Sequence, residues 1–301
     1  MVNRVATYPF TNTLIAENMR LKTKYADVNA QISSGLKSQT YKGIARDSQY
    51  LLSIESSIDK LTAYNANANS ALATVNTMYT AMGSIQDLAN SILGDVTAAL
   101  GGDQVPASVL TSQANNGMTE MAALLNLRVA GRYVFSGSDI DTVPVDLSDP
   151  AWTAQIPPSV ANTGYYQGNT VISSVQVSET FTVNYGVTAN NTSFEQLFRA
   201  YNLIANNPTS NAALVEASGL IQQAIDDIAN VQGILSNNSK SIENQMERND
   251  QDKTYLQELA TNIKETDIPS ASVLLTEVQG QLEASYTASV RLLKLNLAQY
   301  L

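Results

Sequence analysis

Apolar side chains recur along much of this chain alternately three and four positions apart, the spacing that holds one seam of a helix against a partner helix. Near the start, Leu14, Leu21 and Val28 form one row of such a seam and Asn18, Tyr25 and Ile32 the other, with Ser33-Ser34-Gly35 supplying a helix stop. A longer seam follows. Leu51, Ile58, Asn65, Leu72, Tyr79, Gln86 and Leu93 make one row; Ile54, Leu61, Ala68, Val75, Met82, Ala89 and Val96 make the second, before Gly101-Gly102 and Pro106 end it. A helix of about 50 residues measures about 75 Å at 1.5 Å per residue, a length suited to a rod.

A shorter helical pattern, about 107–128, leads into Gly131-Arg132-Tyr133-Val134-Phe135-Ser136-Gly137, where the period switches from helix to strand. Pro144, Pro150, Pro157 and Pro158 punctuate loops, while Val175/Val177 and Phe181/Val183/Tyr185 alternate with polar neighbours as half-buried strands do. A second long helix is predicted from near Asn211, with Ile221, Ile228, Leu235, Ile242, Asn249, Leu256 and Ile263 in one row and a more polar second row. Two helices of matching length separated by an insert fold back most simply as an antiparallel hairpin. After Ile268-Pro269 a last helix carries Leu274, Val278, Leu282, Tyr286, Val290, Leu293 and Leu297 on one stripe.

The predicted fold class is mainly α: a long antiparallel helical hairpin or coiled-coil rod, paired terminal helices, and a small inserted β-rich (α+β) outer domain. Its segments are an N-terminal assembly helix and turn (1–45), the first half of the rod (46–131), the outer domain with short strands (132–205), the second half of the rod (206–267) and a C-terminal assembly helix (268–301). Chain ends usually fray and turn polar, yet both ends here are amphipathic. Two readings stand: the ends complete a four-helix bundle within the monomer, or they are buried only when subunits pack together. In the second reading the subunit-interface residues are Leu14, Leu21, Tyr25, Val28, Ile32, Val278, Leu282, Tyr286, Val290, Leu293 and Leu297.

Composition narrows the chemistry. There is no cysteine and no histidine, which removes disulfides, thiolate metal sites and the commonest general base. No glycine-rich phosphate loop or nucleophile elbow is present, so the reading assigns no catalytic, cofactor-binding or metal-ligating residue, no cofactor and no enzymatic activity. Asp139 and Asp141, with Asp146 and Asp149, lack the calcium-loop spacing and read as a solvated acidic loop. The net charge of −10 is uneven, with seven basic and three acidic side chains in residues 1–50 and a single basic residue, Arg199, from Tyr133 to Ser239. The acidic balance disfavours a nucleic-acid partner, and no apolar run approaches the roughly 18 residues needed to insert in a membrane. A cleaved secretion signal is not visible either, leaving a cytoplasmic protein or one exported by another route.

Gln31-Ile32-Ser33-Ser34-Gly35-Leu36-Lys37, the inserted domain, and the ending Leu282-Glu283-Ala284-Ser285-Tyr286-Thr287-Ala288-Ser289 through Leu295-Asn296-Leu297-Ala298-Gln299-Tyr300-Leu301 resemble the bacterial flagellin family over about 1–135 and 210–301. Gly131–Gly137, entered from Leu127-Arg128-Val129-Ala130, and the opening Met1-Val2-Asn3-Arg4-Val5-Ala6-Thr7 are similar to its hook-associated branch. Tyr41-Lys42-Gly43-Ile44-Ala45-Arg46-Asp47 departs from the family's acidic stretch, and Met82–Asn90 lacks the arginines of the segment read by an innate immune receptor.

The resemblance implies a structural component of the bacterial flagellum, an adaptor at the hook–filament junction that self-assembles through terminal coiled-coil helices. A filament-forming flagellin is the alternative, and a surface-displayed module using Trp152, Tyr165 and Tyr166 to capture a carbohydrate is the second alternative. Implied partners are further copies in a helical or ring-like homo-oligomer, other axial proteins (hook-associated protein and flagellin) and an export chaperone. The implied location is extracellular, reached through the flagellar channel without a cleaved signal.

Overall fold

The structure, a computed structural model, describes the backbone of residues 3–102 and 105–298 and the side chains of 12–102 and 105–291. In chain order its elements are α1 (Asn3–Ser34), α2 (Ser48–Leu100), α3 (Ala107–Leu125), β1 (Arg128–Val129), β2 (Arg132–Tyr133), β3 (Ser174–Gln176), β4 (Thr182–Asn184), α4 (Thr192–Asn206), α5 (Asn211–Lys264) and α6 (Ile268–Ala298). The fold is mainly α with a small β insert, as the periodicity predicts. It divides into two compact units, Met1–Asp59 with Lys253–Leu301, and Lys60–Asp252.

In the second unit α2 and α5 run antiparallel, since Asn65 meets Asn249 while Tyr79 meets Gln232. The predicted α5 row is buried throughout this unit, at Ile221, Ile228, Leu235, Ile242 and Asn249. In α2 the predicted row Ile54, Ala68, Val75, Met82, Ala89 and Val96 is buried along the helix, with Leu61 half-buried, whereas the other row holds as far as Asn65 and then moves. Ala71, Met78, Ile85 and Ile92 are buried in place of Leu72, Tyr79, Gln86 and Leu93, and Tyr79 is 46% exposed. Two successive steps of three, from 65 to 68 to 71, are a stammer that overwinds the seam by one position. The cause is a change of partners. Beyond Ala71 the helix buries Val75, Met78, Met82, Ile85 and Ile92 in one core with residues of α3, α4 and α5.

Helix α4 lies where the sequence reading expects strands and loops. Asn191 caps it by accepting the Ser193 N–H at 3.1 Å, and Phe194, Leu197, Phe198, Tyr201, Leu203 and Ile204 are buried. Gly117 of α3 allows the two helices to approach, because a Cβ there would lie 2.8 Å from the buried Tyr201 ring. Around α4, Phe135 packs edge-on against Phe194 at 6.0 Å and Trp152 against Tyr165 at 5.3 Å, and Tyr165 stacks at a tilt on Phe198 at 4.4 Å. Tyr165 is fully buried, with its hydroxyl donating to the Ala189 carbonyl at 3.0 Å. The Tyr166 hydroxyl donates to the Asn169 carbonyl and is pushed up to about 12, chiefly by burial. The aromatic trio read as a ligand platform is thus engaged in the insert's own packing, since ring area and hydroxyls together are best satisfied inside.

The β segments are two separate antiparallel hairpins. In the first, Arg128 faces Tyr133 and Val129 faces Arg132, around a two-residue turn in which Ala130 (φ 50°) and Gly131 (φ 82°) are both left-handed. In the second, Val175 faces Val183, and Val175, Val177 and Val183 pack on Ala68, Ala71 and Ile242. A buried polar knot anchors it. Asn249 Nδ2 donates to Asn65 Oδ1 and to the Val177 carbonyl, both at 2.8 Å, while Asn65 Nδ2 donates to Asp250 at 3.0 Å and Gln245 to Asn249 Oδ1 at 2.9 Å.

Replacing Asn249 with Leu strands the Asn65 and Val177 acceptors without their donor and is expected to destabilise the chain by about 1–3 kcal/mol in urea unfolding. Adding Asn65→Leu should recover part of that loss. Gly117→Ala is expected to cost about 1–3 kcal/mol by forcing the Tyr201 ring aside, an overpacking effect read by the same titration.

Candidate assembly surface

In the first unit α1 packs along α6 of the same chain. Leu21, Val28, Ala271 and Val278 are buried between them; Leu14, Tyr25, Ile32 and Leu282 are half-buried, and Asn18 Nδ2 donates to Ser289 Oγ at 3.2 Å. Tyr286 and Val290 stand apart from this seam, 49% and 50% exposed. The reason is geometric. Successive steps of four advance about 40° each around a helix of 3.6 residues per turn, so a stripe built only of fours turns about 120° between positions 278 and 290. The single stripe read from the sequence therefore divides into an inner part buried against α1 and an outer part that is half exposed. On α1, Ile15 and Met19 are likewise exposed, at 49% and 67%. Leu293 and Leu297 lie outside the described side chains.

The turn after α1 clamps the end of α5. Gly35, with φ 72°, closes α1, and the chain then pairs with the segment leaving α5: Lys37 N–H donates to the Lys264 carbonyl at 2.7 Å and Thr266 N–H to the Gly35 carbonyl at 2.9 Å. The Lys37 ammonium donates to the carbonyls of Asn262 and Ile263, both at 3.0 Å, placing a cation on the unsatisfied C-terminal end of the helix. Beside it, Glu55 accepts from Lys264 and, at 2.7 Å, from the Tyr41 hydroxyl. The Lys264 hydrogen bond, followed by that from Tyr41, holds the Glu55 carboxyl below the usual carboxylate range. Leu51, Ile54 and Ala260 form the small core underneath. Sequence reasoning missed this clamp, because its partners are more than 200 positions apart in the chain.

Two acidic residues of the insert, Asp146 and Asp149, serve its loops. Asp146 accepts from the Ser148 backbone at 2.9 Å and its hydroxyl at 2.7 Å, and Asp149 from Ala151 N–H and Gln167. Among the described residues no group of three or more His, Cys, Asp or Glu side chains could hold a metal ion, and no helix is long and apolar enough to cross a membrane.

No family model matches the sequence, and no curated protein matches it. Solved structures do. A structure assigned to a flagellar hook-associated protein of Vibrio parahaemolyticus matches with a TM-score of 0.59 at 15% identity, over 72% of this chain and 97% of that one. FlgL of Bacillus cereus matches with a TM-score of 0.45 at 13% identity, over 73% and 99% of the two chains. Flagellar hook-associated protein-3 of Legionella pneumophila gives 0.45 at 9%, over 75% and 98%. The first of these establishes a shared fold.

Because the Glu55 carboxyl is lowered in the folded chain, its contribution to stability is complete above the ordinary value of 4.5 and is lost as pH falls through the lowered one. Glu55→Gln should therefore lower the urea midpoint at pH 7, and the gap to the parent chain should close as the solution is acidified below about pH 4.

Proposed function

We propose that this chain is a structural subunit of a bacterial flagellum and acts as the adaptor at the hook–filament junction. The observation that carries the reading is the fold shared with the Vibrio hook-associated structure across 97% of that chain. It is supported by the family-like sequences at both ends and by an α1–α6 pair with apolar side chains left on its outer surface. In this reading Leu14, Leu21, Tyr25, Val28, Ile32, Val278 and Leu282 hold the pair together, while Tyr286 and Val290, with Leu293 and Leu297 further along the sequence pattern, meet neighbouring copies and the adjoining axial proteins. Closed rings or helices arise from such head-to-side contacts between identical subunits. The chain reaches its place outside the cell by export through the flagellar channel, aided by an export chaperone.

In the bacterium that carries this gene, its deletion should abolish swimming while hooks remain and flagellin is shed into the medium, as seen by electron microscopy and immunoblotting. A Tyr286→Asp copy should be exported and folded yet fail to restore swimming, because a charge cannot be buried in an apolar contact without a partner. Normal swimming in both strains would overturn the assignment. Long filaments formed by the purified chain alone would instead make it a filament flagellin.

A further inference from the structure

Among the described residues, strand β3 has one edge with no hydrogen-bonding partner. Tyr185 N–H donates to the Ser173 carbonyl at 2.9 Å and Val177 N–H to the Phe181 carbonyl at 3.0 Å, so the odd-numbered residues of β3 exchange ladder hydrogen bonds with β4. In an antiparallel pair these positions alternate with ones whose backbone groups turn outward. The N–H and C=O of Ser174 and Gln176 therefore point away from β4. The same alternation turns the Asn184 carbonyl outward on β4, where Asn238 of α5 donates to it at 2.8 Å. The β4 side is thus engaged, whereas the β3 side opens on a groove of about 590 Å³.

The groove is bounded by Asn67, Ser70 and Thr74 of α2 and by Arg132, Tyr133 and Ile140. Its far wall offers no competing strand edge, because the Tyr133 N–H already donates to the Ile140 carbonyl at 2.9 Å. Among the described residues lining it, Arg132 is the one charged side chain, and it makes no ion pair. The Arg128 guanidinium lies on the same hairpin, 4.0 Å over the Tyr133 ring. Arg128 pairs with Tyr133 on the opposite face of the hairpin from Arg132, which leaves Arg132 as the cation of the groove within a largely acidic insert.

We propose that this groove takes an extended acidic peptide segment of another polypeptide, which adds as a third strand on β3 and sets a carboxylate against Arg132. Outward N–H and C=O pairs at alternate residues match the two-residue repeat of a peptide backbone, and a sugar ring has no such repeat. The charge of the groove selects an acidic sequence, since arginine pairs with carboxylates through two parallel hydrogen bonds.

The test is fluorescence anisotropy of the full chain with a labelled peptide Thr-Val-Glu-Val-Glu-Val-Thr, compared with the same peptide carrying Lys for Glu. Saturable binding is expected for the acidic peptide and none for the basic one. Arg132→Glu and Ser174→Pro should each weaken binding at least about tenfold. Proline at 174 removes an outward N–H and no ladder bond, so it is tolerated at an edge, and thermal unfolding checks that the variant folds. Methylating alternate amides of the peptide should abolish binding with the protein unchanged, which keeps the test decisive if the proline variant misfolds. Absence of saturable binding would overturn the proposal. So would binding lost in Arg132→Glu but indifferent to both backbone changes, which would mark a simple anion site.

Discussion

Helices of 53 and 54 residues depend on one another, because their stability in water comes from burying an apolar seam and very little of it from intrinsic propensity. In the unit 60–252, α5 commits Ile221, Ile228, Leu235 and Ile242 to that burial, and α2 answers with Ala68, Val75, Met82 and Ala89. The small residues matter as much as the large ones. Ala68 and Ala71 leave room for the β3–β4 hairpin to seat Val175 and Val183 directly on the helix pair. The stammer at 65–71 then turns α2 so that a fresh face, Met78, Ile85 and Ile92, meets the core that α3 and α4 complete.

The polar break in that seam is what connects the helices to the insert. A buried asparagine is costly unless its amide is satisfied, and here Asn65 and Asn249 satisfy each other across α2 and α5. The second hydrogen of Asn249 Nδ2 goes to Val177, at the end of the hairpin strand. One pair of side chains therefore favours a single helix register and fixes the hairpin to it, and the position of the hairpin determines where the free edge of β3 faces. Shifting the register would break both contacts together.

Much of this architecture was legible in the sequence where a period ran for many residues: α1, α2, α3, α5 and α6 all lie where their apolar rows and glycine or proline stops place them. The strands around Val175 and Val183 were legible from alternation. Three features were missed. Helix α4 is short and lies within a stretch rich in proline and strand-like alternation, yet Phe194, Leu197, Phe198 and Tyr201 stand at the i, i+3, i+4, i+7 spacing of one helical face behind the Asn191 cap, so its signal was present in the sequence. The α2 seam shift follows from tertiary partners that no local pattern encodes. At the assembly surface, spacing alone placed Val278 and Tyr286 on one stripe, whereas the accumulated rotation of repeated fours separates them, so that one is buried and the other half exposed.

That separation gives the α1–α6 pair an inner seam that closes within the chain and an outer face available to neighbours. The most direct measurement is a cryo-electron microscopy reconstruction of the hook–filament junction from the bacterium that carries this chain. The account predicts this chain as a layer between hook and filament, with Tyr286 and Val290 buried against adjacent subunits. A junction built of other proteins, or a layer in which Tyr286 and Val290 remain facing solvent, would contradict it.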